Sequence, residues 1–303
     1  MKKLSLKTFL RKYDTNEACL EEIKNFVFPN GITCPKCKRI TNFYKITDRM
    51  AYSCGVCRTQ VYPLKDTIFQ KSTTDLRTWF YIMWVMSFKT RSGISARQIM
   101  REVGVSYKCA FRICHQIRKL MADDGDPLSG ITESDETHIG GAGKNKRFVP
   151  NFNEKPKEIL MGILQRGRKI HLRHIPNTGK WTILKQVKDN IKTDATIYTD
   201  QLGAYTQLAK YGYKHSYVNH TETYVIKGTD IHTNSIEGFW SIFKRGVIGV
   251  YTHISPKYLQ HYADEYGFRY GNRKLGDGMF YEMLRQIALK KALKVVLLSS
   301  VNQ

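Results

Sequence analysis

Three acidic residues, well separated along the chain, are the main candidates for chemistry. Asp135 and Asp200 lie in segments of alternating pattern, and Glu237 lies in a segment with helical spacing. Carboxylates that converge repel one another unless a cation lies among them. Their oxygens suit Mg²⁺ or Mn²⁺, and two such ions ~3.5–4 Å apart can act on a phosphodiester. If these residues converge, they predict a catalytic Mg²⁺ or Mn²⁺ site.

Each carboxylate also has an ordinary structural explanation. Asp135 competes with Glu133, which strand alternation puts on the same face, and with Glu136 on the opposite face. Asp200 could serve the turn that follows it. Glu237 could be the capping-box partner at a helix start. The chemistry of the residues alone leaves these alternatives open.

The segment 232–246, HTNSIEGFWSIFKRG, predicts the helix that carries Glu237. Its start signal is Thr233, or Asn234 with Glu237 three residues on. Apolar residues recur at helical spacing and would fix the helix to a sheet: Ile236, Phe239, Trp240 and Phe243. Polar residues share another face: Asn234, Glu237, Ser241 and Lys244. The alternative is a surface helix with a solvated polar face.

Basic residues near this site could hold a phosphodiester without being metal ligands. Lys244 and Arg245 follow Glu237 by one to two helical turns. For His220 and His232, a structural hydrogen bond is favoured over proton transfer.

Two CxxC pairs, separated by sixteen residues, predict a zinc ribbon between residues 31 and 62. The four cysteines would surround one tetrahedral Zn²⁺: Cys34, Cys37, Cys54 and Cys57. Since protein fills all four positions, the zinc would be structural. The alternative is a redox CxxC. Basic residues around the pairs could contact phosphates.

Residues 92–120 have the pattern of a helix-turn-helix. A helix over 95–103 leads to a turn at Gly104, and Ser106 can cap a second helix. Four residues of the second helix are predicted to contact DNA: Lys108, Arg112, Arg118 and Lys119. Lys244 and Arg245, in the predicted helix at 232–246, are two further predicted contacts. The alternative is an ordinary αα-hairpin. Before this pair, Ser72 or Thr74 can cap an apolar core helix.

The second half of the chain alternates strands and helices in the order β-β-β-α-β-α-β-α. A basic, glycine-bearing loop at 141–157 follows the first strand, and a helix at 179–192 has Trp181 among its apolar positions. This order predicts an α/β domain with a mixed five-stranded sheet. Its first and fourth strands can be neighbours, which would bring Asp135 and Asp200 to one place.

Length and composition indicate a globular protein with a polyanionic partner. The chain has 303 residues, 42% of them hydrophobic, and a net charge of +23. Such a charge favours nucleic acid over membrane. We find no secretory signal and no apolar run of ~18 residues. Seven cysteines, two CxxC pairs among them, without an export signal fit metal binding in a reducing cytoplasm better than disulfides.

The order of these motifs resembles bacterial insertion-sequence transposases with an N-terminal zinc ribbon. CPKC…CGVC, KDTIFQKSTTDLRTWFYIMW and GISARQIMREVGVSYKCAFRICHQIR are similar to their N-terminal half. ESDETHIGG, IYTDQLGAY and HTNSIEGFWSIFKRGVIGVYTH are similar to their ISXO-type DDE domain. The resemblance covers about residues 15 to 290.

The resemblance implies a ribonuclease H-like catalytic domain that cuts and joins DNA at transposon ends. Asp135 matches the first aspartate and Asp200 the second. Glu237 is the favoured third residue, with Asn234 as the alternative, and Lys244 would contact a phosphate. It further implies Mg²⁺ or Mn²⁺, terminal inverted repeats and target DNA as partners, and a homodimer or larger oligomer on DNA.

The predicted domains follow the motifs. They are helices and zinc ribbon at 1–62, a helix-turn-helix region at 63–125, a ribonuclease H-like domain at 126–275 and a C-terminal helix at 276–303. Two other functions stay open: a non-catalytic DNA-binding regulator and a stand-alone nuclease of the same fold.

Overall fold

The computed structural model describes residues 4–88, 93–140, 157–218 and 229–301. Most of the predicted 141–157 loop, as well as His220, lies outside them. Backbone contacts divide the chain into two compact units. The first comprises Met1–Lys89, Ala96–Met121 and Leu275–Gln303, and the second comprises Thr90–Ser95 and Ala122–Lys274.

Helices and strands alternate along the chain. The helices are α1 (Leu6–Lys12), α2 (Asn16–Val27), α3 (Leu76–Phe88), α4 (Ala96–Val103), α5 (Tyr107–Leu120), α6 (Lys180–Asn190), α7 (Asn234–Gly246), α8 (Pro256–Gly271) and α9 (Gly278–Val301). The strands are β1 (Phe43–Lys45), β2 (Tyr52–Cys54), β3 (Gln60–Val61), β4 (Ile131–Ile139), β5 (Glu158–Gln165), β6 (Ile170–Ile175), β7 (Thr196–Asp200) and β8 (Lys214–Val218).

In the first unit, α9 packs against α2, α3 and α5. Aromatic rings fill this core, with Phe280 of α9 lying 5.7 Å from Phe9 and 5.6 Å from Phe80 between centroids. The predicted capping of α3 by Ser72 or Thr74 is wrong. Asp75 accepts from the Thr78 N–H at 2.7 Å instead. The short antiparallel sheet β1-β2-β3 forms the predicted ribbon strands.

The second unit is built on a five-stranded mixed sheet with the order β6-β5-β4-β7-β8. β5 runs antiparallel to both of its neighbours, whereas β4, β7 and β8 are parallel. One face is covered by α6 and the other by α7 and α8. This confirms the predicted mixed α/β sheet and the pairing of its first and fourth strands.

Two predictions about this unit are wrong. The segment predicted as a helix after Asp200 forms two 3₁₀ turns, Gly203–Tyr205 and Leu208–Tyr211, and Gly212 closes them with φ of 84°. Trp181, predicted as a core position, is 70% exposed. It lies to one side of the α6 face that Ile183, Leu184 and Val187 bury.

The helix α7 ends at Gly246 as predicted and begins at Asn234, with Thr233 as its N-cap residue but without the predicted side-chain capping bond. Its four apolar residues are all buried. A π-helical turn at Val247–Tyr251 continues it. Within the described residues, no helix combines the length and apolar character that crossing a bilayer requires.

Candidate active site

Asp135 and Asp200 occupy equivalent positions on adjacent strands. The last registered pair of the parallel strands β4 and β7 is Ser134 with Thr199, and the two aspartates come next. Neighbouring strands lie ~4.8 Å apart and equivalent positions share a face. Strand pairing therefore puts the two carboxylates side by side.

Glu237 reaches the same region from α7, which packs against β4. Burial, together with the negative charges of Asp200 and Glu237, raises the pKa of Asp135 to about 6. Asp200 and Glu237 are therefore both close enough to repel Asp135. Glu237 accepts a hydrogen bond from the Thr233 hydroxyl at 2.9 Å. Asn234, the alternative third residue, is exposed one turn earlier.

Trp240 and Gly162 form the wall beside Asp135. Gly162 of β5 is the register partner of Asp135. A Cβ at Gly162 would lie 2.7 Å from Trp240 Cζ2, so glycine is what lets the indole lie against the sheet. Trp240 Nε1 is buried without a standard hydrogen bond, yet it lies near enough to Asp135 to lower the pKa of that carboxyl.

Glu133, the alternative to Asp135 on the same face of β4, has a structural role. Its side chain is fully buried, and Oε2 accepts from the backbone N–H groups of Ser235 and Ile236 at 2.9 Å each. Oε1 accepts from Ser235 Oγ at 2.9 Å and from Arg166 Nε at 2.6 Å. A carboxylate has about four lone-pair sites. Glu133 thus caps α7 from β4 and has none left for a metal ion.

Arg166, the residue that follows β5, links this cap to the segment before α7. Its Nη2 lies 3.0 Å from His232 Nδ1 and donates to the His232 carbonyl at 2.9 Å. Its Nη1 lies 3.6 Å from Asp230 Oδ2, and the guanidinium lies 5.0 Å from the Tyr198 ring. His232 therefore makes the predicted structural hydrogen bond. Nothing in the local sequence pattern singles out Arg166.

Glu136 points to the opposite face of β4, as strand alternation predicts. The hydroxyl of buried Tyr205 donates to its carboxylate. Burial, together with the negative charges of Asp135 and Asp200, raises the pKa of Glu136 to about 8. A carboxyl that is protonated near neutral pH is a poor metal ligand.

Two basic residues of α7 are exposed beyond the carboxylates. Lys244 follows Glu237 by seven residues, which puts it on the same side of the helix about 10 Å further along. Arg245 is also exposed. Both are available to a polyanion.

The four predicted zinc ligands come together in the first unit. Their sulfur atoms all lie within 4.8 Å of one another. Tetrahedral zinc with Zn–S bonds of about 2.3 Å requires sulfurs about 3.8 Å apart, so the cluster fits Zn²⁺. A hydrogen bond with Thr59 lowers the pKa of Cys57 to about 6, and one with Thr41 lowers that of Cys54. Across 4–88, 93–140, 157–218 and 229–301, no other group of three or more His, Cys, Asp or Glu residues has all its ligand atoms within this distance. Asp135, Asp200 and Glu237 are therefore further apart than the four cysteines.

The helix pair α4 and α5 has the predicted local signals. Gly104 has φ of 72°, and Ser106 Oγ accepts from the Cys109 N–H at 3.2 Å. Three of the four predicted DNA contacts on α5 are exposed: Lys108, Arg112 and Lys119. Arg118 is only 1% exposed, so its prediction as a DNA contact does not fit the structure. It lies on the buried side of α5 with Ile117 and Cys114.

Two family models match this chain. Residues 14–60 match the transposase zinc-ribbon domain, and residues 127–271 match the ISXO2-like transposase domain. The two segments contain the cysteine cluster and the three carboxylates.

Curated relatives agree with these matches. An uncharacterized protein in transposable element ISH50 of Halobacterium salinarum is 25% identical over 240 residues, which is 71% of this chain and 78% of the relative. An uncharacterized transposase-like protein of Haemophilus influenzae is 25% identical over 107 residues, 35% of this chain and 85% of the relative. The chain belongs to the insertion-sequence transposases that combine a transposase zinc-ribbon domain with an ISXO2-like transposase domain.

Proposed function

We propose that this protein is a DDE-type DNA transposase that cleaves DNA at the ends of its insertion sequence and transfers the strands to a target. The observation that carries the proposal is the group formed by Asp135, Asp200 and Glu237. Asp135 and Asp200 directly follow the last registered pair of two adjacent strands, and the charges of Asp200 and Glu237 both act on Asp135.

The sheet supports a ribonuclease H-like catalytic domain. Its three antiparallel strands are followed, across a helix, by two strands parallel to the first. The first carboxylate lies on the central strand β4 and the second at the end of β7. The third arrives from α7, which crosses the sheet face.

Asp135, Asp200 and Glu237 would hold Mg²⁺ or Mn²⁺, since carboxylate oxygens suit these ions and a cation relieves the repulsion among them. When bound, two such ions activate a water or a 3′-hydroxyl and stabilise the leaving oxygen. Lys244 and Arg245 would hold the DNA phosphates beside the carboxylates. Trp240 excludes water from one side of Asp135.

The first unit would recognise the transposon ends. The zinc ribbon and the α4–α5 pair, as a helix-turn-helix, would contact the inverted repeats through Lys108, Arg112 and Lys119. Such contacts neutralise phosphates and depend on salt. Because two ends must be joined in one event, we expect a homodimer or larger assembly on DNA. The proposal keeps the four domains predicted from the sequence, at 1–62, 63–125, 126–275 and 276–303.

Replacing the first carboxylate tests the site. Asp135→Asn should reduce Mg²⁺-dependent cleavage and joining of end DNA on the order of 1,000-fold or more, because catalytic groups act as a unit. Asp194→Asn, at an exposed aspartate just before β7, is the matched control and should retain activity. Full activity of Asp135→Asn would refute the assignment.

The third residue is tested by comparing Glu237→Gln with Asn234→Ala. We expect Glu237→Gln to lose cleavage and Asn234→Ala to keep most of it. The reverse result would make Asn234 the ligand. The same assay separates the other functions: a regulator binds end DNA without cleaving it, and a stand-alone nuclease cleaves without joining.

A further inference from the structure

We infer that Glu133 and Arg166 form a clamp that positions Glu237 against Asp135, so that the three carboxylates can share metal ions. This inference rests on the proposed function. Glu133 and Arg166 are positioning residues and do not themselves bind metal.

The first step is the location of Glu133 between two of the site carboxylates. Glu133 precedes Asp135 by two residues on β4. Its hydrogen bonds go to Ser235 and Ile236, the two residues that immediately precede Glu237. A single buried side chain therefore connects the backbone that carries one ligand to the backbone that carries another.

The second step is the way α7 begins. The first N–H groups of a helix have no partner within the helix and need an outside acceptor. Thr233, the N-cap residue, gives no side-chain capping bond and donates to Glu237 instead. Glu133 supplies the acceptor from another strand. Its negative charge also suits the positive end of the helix dipole.

The third step is Arg166, which fixes the clamp from the other side. It pairs with Glu133 at 2.6 Å and holds the His232 carbonyl and ring ahead of α7. One guanidinium therefore contacts both Glu133, which caps the first residues of α7, and His232, which precedes α7. A lysine has one ammonium group, so it cannot contact Glu133 and His232 in these separate directions while its charge lies over the Tyr198 ring.

The fourth step concerns what packing alone achieves. The apolar face of α7 already attaches the helix to the sheet through the core it shares with β5 and β6. Apolar contacts are not directional, so they leave small rotations of the helix possible. Metal ligands must be held within about 0.5 Å. The clamp supplies directional bonds where that precision is required, so its loss should affect metal binding more than folding.

The test uses Mn²⁺ as the probe, with its binding to the full chain measured by electron paramagnetic resonance in the absence of DNA. Glu133→Gln should weaken Mn²⁺ affinity about 10-fold or more, as outer-shell changes do. Glu133→Gln should also raise by a similar factor the Mg²⁺ concentration needed for half-maximal cleavage. Excess Mg²⁺ should restore most of the rate.

A matched control removes another buried carboxylate that pairs with an arginine. Glu265 of α8 is fully buried and pairs with Arg269. Glu265→Gln should lower the midpoint of thermal unfolding at least as much as Glu133→Gln, but leave Mn²⁺ affinity unchanged. If Glu265→Gln weakens Mn²⁺ binding equally, the effect is general destabilisation and the clamp is refuted.

Asp135→Asn separates the clamp from the proposed function. If Asp135→Asn loses Mn²⁺ and Glu133→Gln does not, the clamp is wrong and the metal site stands. If Asp135→Asn binds Mn²⁺ like the parent, or the parent binds none, the site and the clamp fall together. If Glu133→Gln fails to fold, Arg166→Lys decides in its place. It should weaken Mn²⁺ binding in the same direction, and unchanged affinity would refute the clamp.

Discussion

Three acidic residues within four positions of β4 have different chemical fates because they face different partners. Glu133 meets helix N–H groups and Arg166, which satisfy its charge. Asp135 meets Asp200 and Glu237, which oppose its charge. Glu136 meets the Tyr205 hydroxyl on the other face. Residue type therefore says little here, and the facing groups decide the role.

Glu136 gives a prediction about the pH dependence of stability. Its pKa is raised from 4.5 to about 8, so the folded chain holds the proton more tightly than the unfolded chain. The stability it contributes is full below pH ~4.5 and is lost as pH rises through about 8, by up to about 1.4 kcal/mol per pH unit. Glu136→Gln should remove this loss.

The measurement is urea unfolding of parent and Glu136→Gln at pH 4.5, 6 and 8 without divalent ions. Glu136→Gln should match the parent at the lowest pH and exceed its free energy of unfolding at the highest. Asp194→Asn, at an exposed site, should show no such trend. A difference between Glu136→Gln and the parent that is constant across pH would contradict the raised pKa.

At the scale of elements, α7 is placed by apolar packing on one side and by a tertiary cap at its start. The approach to the sheet depends on Gly162, where a Cβ would lie 2.7 Å from Trp240 Cζ2 and 3.0 Å from Ile236 Cδ1. Such crowding must displace the indole or the helix. The wall beside Asp135 would move with it.

Two glycine substitutions test this placement. Gly162→Ala should lower the free energy of unfolding by about 1–3 kcal/mol through overpacking and reduce cleavage. Gly238→Ala, on the exposed side of α7 with open space at its Cβ, should raise stability by about 0.5–1 kcal/mol. Chemical denaturation measures both. Equal effects of the two substitutions would mean that α7 does not approach the sheet this closely.

At the scale of the whole molecule, the zinc cluster and the carboxylate group belong to different compact units. Cys54→Ser should therefore lose bound Zn²⁺ and weaken binding to end DNA, because zinc-ribbon folding and metal binding are coupled. Mn²⁺ affinity of the second unit should stay unchanged. Elemental analysis, DNA titration and paramagnetic resonance give the three readouts.

The control for the zinc prediction is Cys109→Ser, a partly exposed cysteine outside the cluster. It should retain one Zn²⁺ per chain. Zinc that survives Cys54→Ser, or Mn²⁺ binding that disappears with it, would contradict the separation of the two sites.

Much of this protein follows from the sequence by itself. The cysteine spacing predicts the zinc cluster because its ligands come from two short knuckles. Strand alternation places Asp135 and Glu136 on opposite faces, and helical periodicity identifies the buried side of α7. The first and fourth strands pair as their order predicts. All of these depend on local periodicity or element order, which a sequence displays directly.

Tertiary structure alone decided the rest. Glu133 caps a helix 102 positions away, and Asn16 accepts from the Leu76 N–H at the start of α3, 60 positions away. Arg118, which was expected to be exposed, is buried, and Trp181, which was expected in the core, is exposed. Residue type and sequence periodicity indicate which face of a helix or strand a side chain lies on. The partner of that side chain depends on which other element packs against that face. These long-range contacts depend on strand pairing and core packing, and no local sequence pattern predicts them.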